Sequence, residues 1–480
     1  SQVWNTIKCA FPENDCCSRI ITTARIVDAA KSCCLSTDDR MYAMEPLSDV
    51  NSRGLFFKRI FGSDGCCPDM LKEVSNEILK KCAGLPLAIV TISSLLANRS
   101  ATKEEWEKVK RSCGSALENN QSLEGMNSIL SLSYNVLPPN LKTCLLYLSV
   151  FPEDCEIDKE RLVRRWIAEG FIQEERGQSR QEVAENYFYD LINKSMVQPV
   201  DTGYDGKVRA CRVHDMMLEI IISKAVEDNF VTVVGRGQTS LTTRHGFIRR
   251  LSVQHIDQEM ASALANEDLS QAQSLIVTSS GYMEQFPSLL KFEALRVLDF
   301  EGCEGLEEYD MNNMDKLYQL KFLSLRGTII SKLPPSVVML HDLEAIDLRD
   351  TQIVELPAGI ICLSNLQYLP TGKQLLPDGI NNMRSSIRVP PIFDITRSSL
   401  DALEDIGSLT GLNEVKLSLE KKHCRELSGN DTLLAMQAWE LQTPIFSLTS
   451  LARLKINLAA LREEDLDTLG ELSPLIVLQS

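Results

Sequence analysis

The sequence predicts a multidomain fold: the end of an α/β unit, a helical segment, a winged helix and an α/β leucine-rich repeat solenoid. Three observations predict it. A Leu-x-x-Leu-x-Leu unit recurs in register from Leu295 onward. Residues 136–225 read in the order helix, helix, helix, ribbon, ending at Val213-His214-Asp215. A short β-rich run, Ser18–Thr23, precedes a long stretch whose apolar residues fall at helical spacing.

Residues 1–47 contain two expected strands. Arg19-Ile-Ile-Thr-Thr has the continuous apolar and β-branched character of a buried parallel strand. Tyr42–Leu47 is expected to be a second, ending at Pro46, and Lys31–Leu35 a short helix between them. Two strands are too few for a stable open sheet. Residues 48–135 read as helical. Ser48 is a candidate N-cap before Ser52–Phe61. Met70–Ala83 carries Leu71, Val74, Ile78 and Leu79 at helical spacing and stops at Gly84, and Pro86 can open the next helix, Leu87–Ala97. In residues 136–225, Leu141–Val150 is followed by a helix capped by Asp158, with Leu162, Val163, Trp166 and Ile167 on one face, then by Gln181–Asn193. Met196–Val200 and Lys207–Val213 flank the turn signal Gly203-Tyr-Asp-Gly206. Residues 226–246 read as a linker.

Residues 247–480 carry the repeats. The cores begin at Leu295, Leu320, Leu343 and Leu366, a spacing of 25, 23 and 23 residues. Leu412–Leu417 and Leu451–Ile456 continue the pattern less regularly, and Ile248–Val253 is expected to be the first strand. Between cores, Leu333-Pro334-Pro335 and Leu356-Pro357 start the convex side. Asp299, Ser324 and Asp347, at matching strand positions, are expected to line an exposed concave face suited to protein recognition.

Composition narrows the functional classes. The 480 residues are 44% hydrophobic and 24% charged, as in ordinary globular protein. No apolar run reaches the ~18 residues of a membrane span. Net charge is −16, and residues 226–480 hold 35 of the 66 acids against 22 of the 50 bases. Such a surface repels phosphate backbones. The third helix of the winged-helix block carries Glu182, Glu185 and Asp190, where a DNA reader needs Arg, Lys, Asn or Gln. The Arg161, Arg164 and Arg165 cluster is expected to be a solvated helix face or an internal salt-bridge surface. Fifteen scattered cysteines, with no C-x-x-C spacing, fit a reducing compartment and no zinc site. No Ser/His/Asp, Cys/His or metal constellation appears, so no catalytic residue and no metal ligand is assigned.

Trp4-Asn-Thr-Ile7, Cys9-Ala-Phe-Pro12, Thr22–Arg25, Gly84-Leu85-Pro86-Leu87, Phe151-Pro-Glu-Asp154, Trp166–Phe171 and Val213-His214-Asp215 occur in that order, followed by the repeats. The ordered set resembles the nucleotide-binding leucine-rich-repeat immune receptors of plants, of the coiled-coil class, along essentially the whole chain. Cys17 and Ala24 depart from the family pattern, which has Gly and Thr there. The resemblance implies a partial P-loop-type nucleotide domain over 1–47, its helical lid over 48–135, and the winged helix and repeats beyond. It implies that Arg25 senses a γ-phosphate, that Gly84, Leu85 and Pro86 lie at adenine, and that His214 holds the ADP form closed, with Asp215 capping the following helix. Read without the resemblance, Arg25 is a surface arginine, Gly84-Leu85-Pro86 a helix break, Asp215 an N-cap and His214 a turn residue.

The loop G-x-x-x-x-G-K-[ST], which cradles phosphates, does not occur in the sequence, nor does an Asp pair after an apolar strand to place Mg²⁺. Weak ADP or ATP binding and no hydrolysis are therefore expected of this chain. Ser1 and the apolar close at Leu475–Leu478 lead to the expectation that it is shortened at both ends. The implied function is a cytoplasmic ADP/ATP-dependent switch in defence, peripheral at the plasma membrane in some settings. Its repeats would engage a pathogen effector or a guarded host protein and restrain activity, and it would form a homo-oligomer on activation. The alternatives are a nucleotide-independent interaction module, decoy or regulator, and a winged-helix DNA-binding regulator.

Overall fold

The computed structural model describes residues 21–23, 31, 33, 34, 40–42, 44–62, 67–112, 130–203, 206–235, 247–255, 257–278, 286–307, 311 and 313–370, and the backbone of strands at 392–394, 414–418, 453–457 and 476–479. The chain falls into two compact units, Ser1–Met126 and Asn127–Ser480.

The first unit is built on helices α1 (Asp49–Phe61), α2 (Asp69–Cys82), α3 (Pro86–Ala97) and α4 (Lys103–Ser112). Ser48 caps α1 as its sequence position predicts, its hydroxyl accepting from the Asn51 N–H at 3.3 Å. The helical stripe of α2 buries Leu71, Val74, Ile78 and Leu79. Phe56 of α1 meets Trp106 of α4 edge to face at 6.0 Å, with both rings fully buried. Arg59 of α1 donates to Ser94 of α3 at 2.7 Å. The two strands expected upstream are not formed at the described positions. Residues 21–23 and 44–47 are irregular, and Ile21, Tyr42 and Met44 are exposed. A β-strand needs a neighbouring strand to complete its backbone ladder, and among the described residues no strand pairs with these positions; the Leu47 N–H donates to the α2–α3 corner instead. The rest of the expected α/β unit lies outside the described residues.

The second unit opens with a winged helix. Helix α5 (Pro139–Leu146) tightens into a 3-10 turn at Tyr147–Val150. There follow β1 (Ile157–Asp158), α6 (Lys159–Glu169), α7 (Arg180–Asn193), β2 (Gln198–Thr202), β3 (Val208–Arg212) and α8 (Asp215–Glu227). Asp158 caps α6 at 2.8 Å, and Gly170, at φ +80°, ends it. Ser179 and Glu182 form a reciprocal capping box at the start of α7. The ribbon β2–β3 sits where the turn signal places it. The two-residue β1, which sequence reading missed, adds a third antiparallel strand in the order β1-β3-β2.

A parallel sheet of six short strands follows in chain order: β4 (Thr232–Val234), β5 (Arg250–Val253), β6 (Ser274–Val277), β7 (Val297–Asp299), β8 (Phe322–Ser324) and β9 (Ala345–Asp347). A helix, α9 (Gln258–Asn266), crosses between β5 and β6. Strand β4 lies inside the segment expected to be a linker, so Arg250–Val253 is the second strand and not the first. The repeat leucines stack: Leu251, Leu275, Leu298, Leu323 and Ile346 face one continuous core with Leu295, Leu320, Leu343 and Leu366. Single repeats cannot bury such a face alone, so neighbours must stack. The weaker repeats also carry strands. β10 (Ile392–Asp394), β11 (Glu414–Ser418), β12 (Arg453–Asn457) and β13 (Ile476–Gln479) form a second parallel sheet in that order.

Candidate functional site

Gly84, Leu85 and Pro86 form the α2–α3 corner of the first unit. Ala83 and Gly84 both take left-handed backbone conformations, at φ +49° and +71°. A Cβ on Gly84 would stand 2.5 Å from the Leu47 carbonyl oxygen and 2.9 Å from Pro46 Cβ. The Leu47 N–H donates to the Gly84 carbonyl at 2.8 Å. The close backbone approach that glycine permits is thus taken by the chain's own segment 46–47. Pro86 is the first residue of α3 and is exposed, so its ring face is open to a flat apolar group. Arg25 lies outside the described residues.

His214 and Asp215 belong to the second unit, at the turn from β3 into α8. His214 is the N-cap, its Nδ1 accepting from the Met216 N–H at 3.3 Å, and Asp215 is the first residue of the helix. The capping role expected of Asp215 therefore falls to His214, because the extended backbone at φ −68°, ψ 137° is one residue earlier than the sequence suggests. Asp215 contributes its charge to the positive end of the helix. With Nδ1 accepting, the imidazole is held in the tautomer whose Nε2 carries the proton, a donor on a half-buried ring.

A buried polar site lies elsewhere in this unit, where α6 meets the repeats. Parallel pairing aligns two rows on the concave side of the sheet. One runs Arg250, Ser274, Val297, Phe322, Ala345 and Tyr368; the other Ser252, Ile276, Asp299, Ser324 and Asp347. All of these are buried. The expectation that Asp299, Ser324 and Asp347 line an exposed face is overturned: each is 0% exposed. What covers the face is the winged helix. Ala168 of α6 packs in one cluster with Val297, Phe322, Ala345 and Tyr368. Ser252 donates to the Val150 carbonyl at 2.7 Å.

Of the α6 arginines, expected to be a solvated face or a salt-bridge surface, Arg161 and Arg165 are the latter, and Arg164 is buried with its guanidinium 5.1 Å from the Tyr368 ring centre. Arg161 Nε and Nη2 both donate to Asp299 Oδ2, at 3.0 and 2.7 Å, and Arg165 Nη1 reaches the same oxygen at 3.2 Å. Asp299 Oδ1 accepts from the Glu301 N–H at 2.9 Å, and Arg161 also pairs with the Glu301 carboxylate. Arg165 is fully buried, its guanidinium 4.7 Å from the Phe151 ring centre and 5.2 Å from that of Tyr147, and its Nε donates to the Tyr147 hydroxyl at 3.1 Å. Stacked guanidinium groups tolerate burial because they are weakly hydrated. Burial pushes the Tyr147 phenol up to about 12, against the pull of Arg165. At the other end of α6, Arg250 of β5 lies between Phe171 and Phe230 and donates to Glu169 at 2.8 Å. Burial raises the Glu169 carboxyl, and Arg250 opposes the rise. Sequence reading missed this site because its partners are 138 residues apart. The one available signal was acid at matching positions of two repeats, Asp299 and Asp347.

The winged-helix segment, residues 150–221, matches the model of the disease resistance protein winged helix domain. Residues 271–437 match the leucine-rich repeat region model. The chain belongs to the nucleotide-binding leucine-rich-repeat disease resistance proteins of plants. It is 35% identical over 421 residues, 87% of its length, to disease resistance protein RGA5 of Oryza sativa subsp. japonica, and covers 37% of that protein. Disease resistance protein Pik-2 of the same organism is 38% identical over 349 residues, 71% of this chain and 33% of Pik-2. A putative late blight resistance protein homolog, R1B-16 of Solanum demissum, is 32% identical over 68% of this chain and 25% of its own length. The chain therefore spans well under half the length of each of these three relatives. No helix among the described residues is long and apolar enough to cross a membrane, and no group of three or more His, Cys, Asp or Glu among them could hold a metal ion.

Proposed function

We propose that this chain is the relay part of a plant immune receptor, joining a nucleotide-responsive winged helix to the repeats that perceive a pathogen-derived or guarded host protein. The observation that supports the reading is the joint itself. The helix that follows β1 of the winged helix is seated on the repeat sheet through buried charges, while His214 stands at the turn out of β3, the strand that pairs with β1. A change at the repeats thus has a contiguous path of packed elements toward His214. A switch also requires contacts that differ between two states. In this reading the Nε2–H of His214 favours a diphosphate, Arg25 favours a third phosphate, and the exposed Pro86 ring takes the adenine face. Bound nucleotide would supply the charge these donors read. The function is signalling, with no turnover chemistry assigned to any residue.

Binding of ADP and ATP to residues 1–480 tests this. Affinity is expected to be weak and hydrolysis absent, because the sequence has no phosphate-cradling loop. His214→Ala should weaken ADP more than ATP, and Arg25→Ala the reverse. Equal losses for both nucleotides, or no nucleotide dependence at all, would exclude the switch and favour a nucleotide-independent interaction module. Homo-oligomer formation in response to ATP, read by light scattering, would extend the reading to the activated state.

A further inference from the structure

Beside the rows that α6 covers, the repeats leave another in solvent. One residue ahead of each member of the Arg250-to-Tyr368 row stand Arg249, Gln273, Arg296, Lys321, Glu344 and Gln367. Each of the last five donates its backbone N–H to the carbonyl of the one before, at 2.7 to 2.9 Å, so the six form a ladder along one lip of the sheet. Three of the first four are basic. Arg249 is exposed, and Arg296 and Lys321 are half-buried. The basic run ends at Glu344, which pairs with Lys321 at 2.8 Å and with Arg180 at 3.3 Å. Among the described residues neither Arg249 nor Arg296 makes an ion pair, although Arg250 beside them does. Acids of the winged helix are committed elsewhere: Glu169 to Arg250, Glu182 to its own helix cap and Glu185 to Lys159. Phe247, 65% exposed, stands two residues ahead of Arg249.

We infer that this lip is a docking strip for an acidic, extended peptide segment of a partner protein. A basic strip is out of keeping with residues 226–480, where acids outnumber bases 35 to 22. Parallel strands stand about 4.8 Å apart, so Arg249 to Lys321 spans about 14 Å, which an extended segment of about five residues matches at ~3.3 Å per residue. Carboxylates of the segment meet Arg249, Arg296 and Lys321 in charge-assisted hydrogen bonds. Gln273 can donate to or accept from the peptide backbone between them, and Phe247 offers an apolar contact at one end. A long polyanion fits less well, because the surrounding acidic surface repels whatever charge overhangs the strip. With the repeats read as the perceiving surface, on which this inference rests, the partner meets a lip already in solvent and no buried contact has to open.

Fluorescein-labelled pentaglutamate, titrated with the full chain at low salt and followed by anisotropy, tests this. Pentaglutamate should bind and pentaglutamine should not, and added salt should weaken the binding. Arg249→Gln and Arg296→Gln should each weaken it about two- to fivefold, the range of an exposed ion pair, and the two together about tenfold. Lys58→Gln, which removes one charge from an exposed position of α1, should leave it unchanged. Glu344→Gln should tighten it, because Lys321 loses its competing acid, and a damaged fold cannot produce that gain. Equal affinity across these variants, or equal binding of pentaglutamine, overturns the strip. Displacement by inorganic phosphate as effective as that by unlabelled pentaglutamate, or tighter binding of a five-residue oligothymidylate through the same arginines, overturns the peptide as the partner class. No variant touches Arg25, Pro86 or His214 and no nucleotide is present, so failure here is separable from failure of the nucleotide switch.

Discussion

Gly84 shows how one residue fixes the path of a corner. Its backbone is left-handed, and the Leu47 carbonyl fills the space a side chain would take. Gly84→Ala should destabilise the first unit by about 2 kcal/mol or more, from the strained φ and the clash together. The loss is measurable as a lower denaturant midpoint reported by Trp106. A midpoint unchanged from the parent would mean that segment 46–47 moves aside at little cost. His214 makes the complementary point. A histidine at an N-cap spends one ring nitrogen on structure and leaves the other outside the cap, so the capping role observed for His214 is compatible with the switching role proposed for it. Burial pushes the Cys211 thiol in β3 up to about 12, which makes it an inert core residue rather than a redox centre.

At the scale of the element, α6 is the informative case. Its sequence, Lys-Glu-Arg-Leu-Val-Arg-Arg-Trp-Ile-Ala-Glu, reads as amphipathic, with a polar face for water. In the fold, every residue from Lys159 to Glu169 except Glu160 is buried. The apolar face packs into the winged helix and the arginine face into the repeats. A buried charge pair contributes little net stability, but breaking one side of it is costly. Arg250→Met should therefore cost about 3–5 kcal/mol, because Glu169 is left buried without its cation. The double variant Arg250→Met/Glu169→Met should recover most of that loss in thermal or urea unfolding. If the two single losses simply add, the pair is not coupled and the aromatic packing of Arg250 on Phe171 and Phe230 carries the effect. Helix α7 illustrates a different limit. Its Glu185 accepts from Lys159 at 3.0 Å, so a base adjoining the would-be DNA-reading helix is consumed inside the winged helix.

For the whole molecule, charge sets what can approach. At −16, with acids on α7, the chain should give no salt-dependent retention of duplex DNA, and the slope of binding against salt should be near zero. A steep negative slope would instead establish phosphate contacts and revive the transcriptional alternative. At the same scale, the concave face is covered although repeat spacing predicts it exposed. Solenoids commonly present that face to partners, and repeat spacing gives no indication that another part of the chain already occupies it.

The sequence by itself determined the elements whose signals are local. Caps at Ser48 and Asp158, stops at Gly84 and Gly170, the ribbon around Gly203–Gly206 and the 23–25-residue repeat are all set by residues within a turn or one repeat of each other. Family membership was legible for the same reason, since ordered local motifs carry it. The tertiary structure decided what those elements touch. It moved the cap of α8 onto His214, turned segment 46–47 against Gly84, drew β4 out of an expected linker, and closed the concave face with α6. Each of these depends on partners distant in the chain, and pairings such as Arg161 with Asp299 become favourable only once a fold has removed water from both.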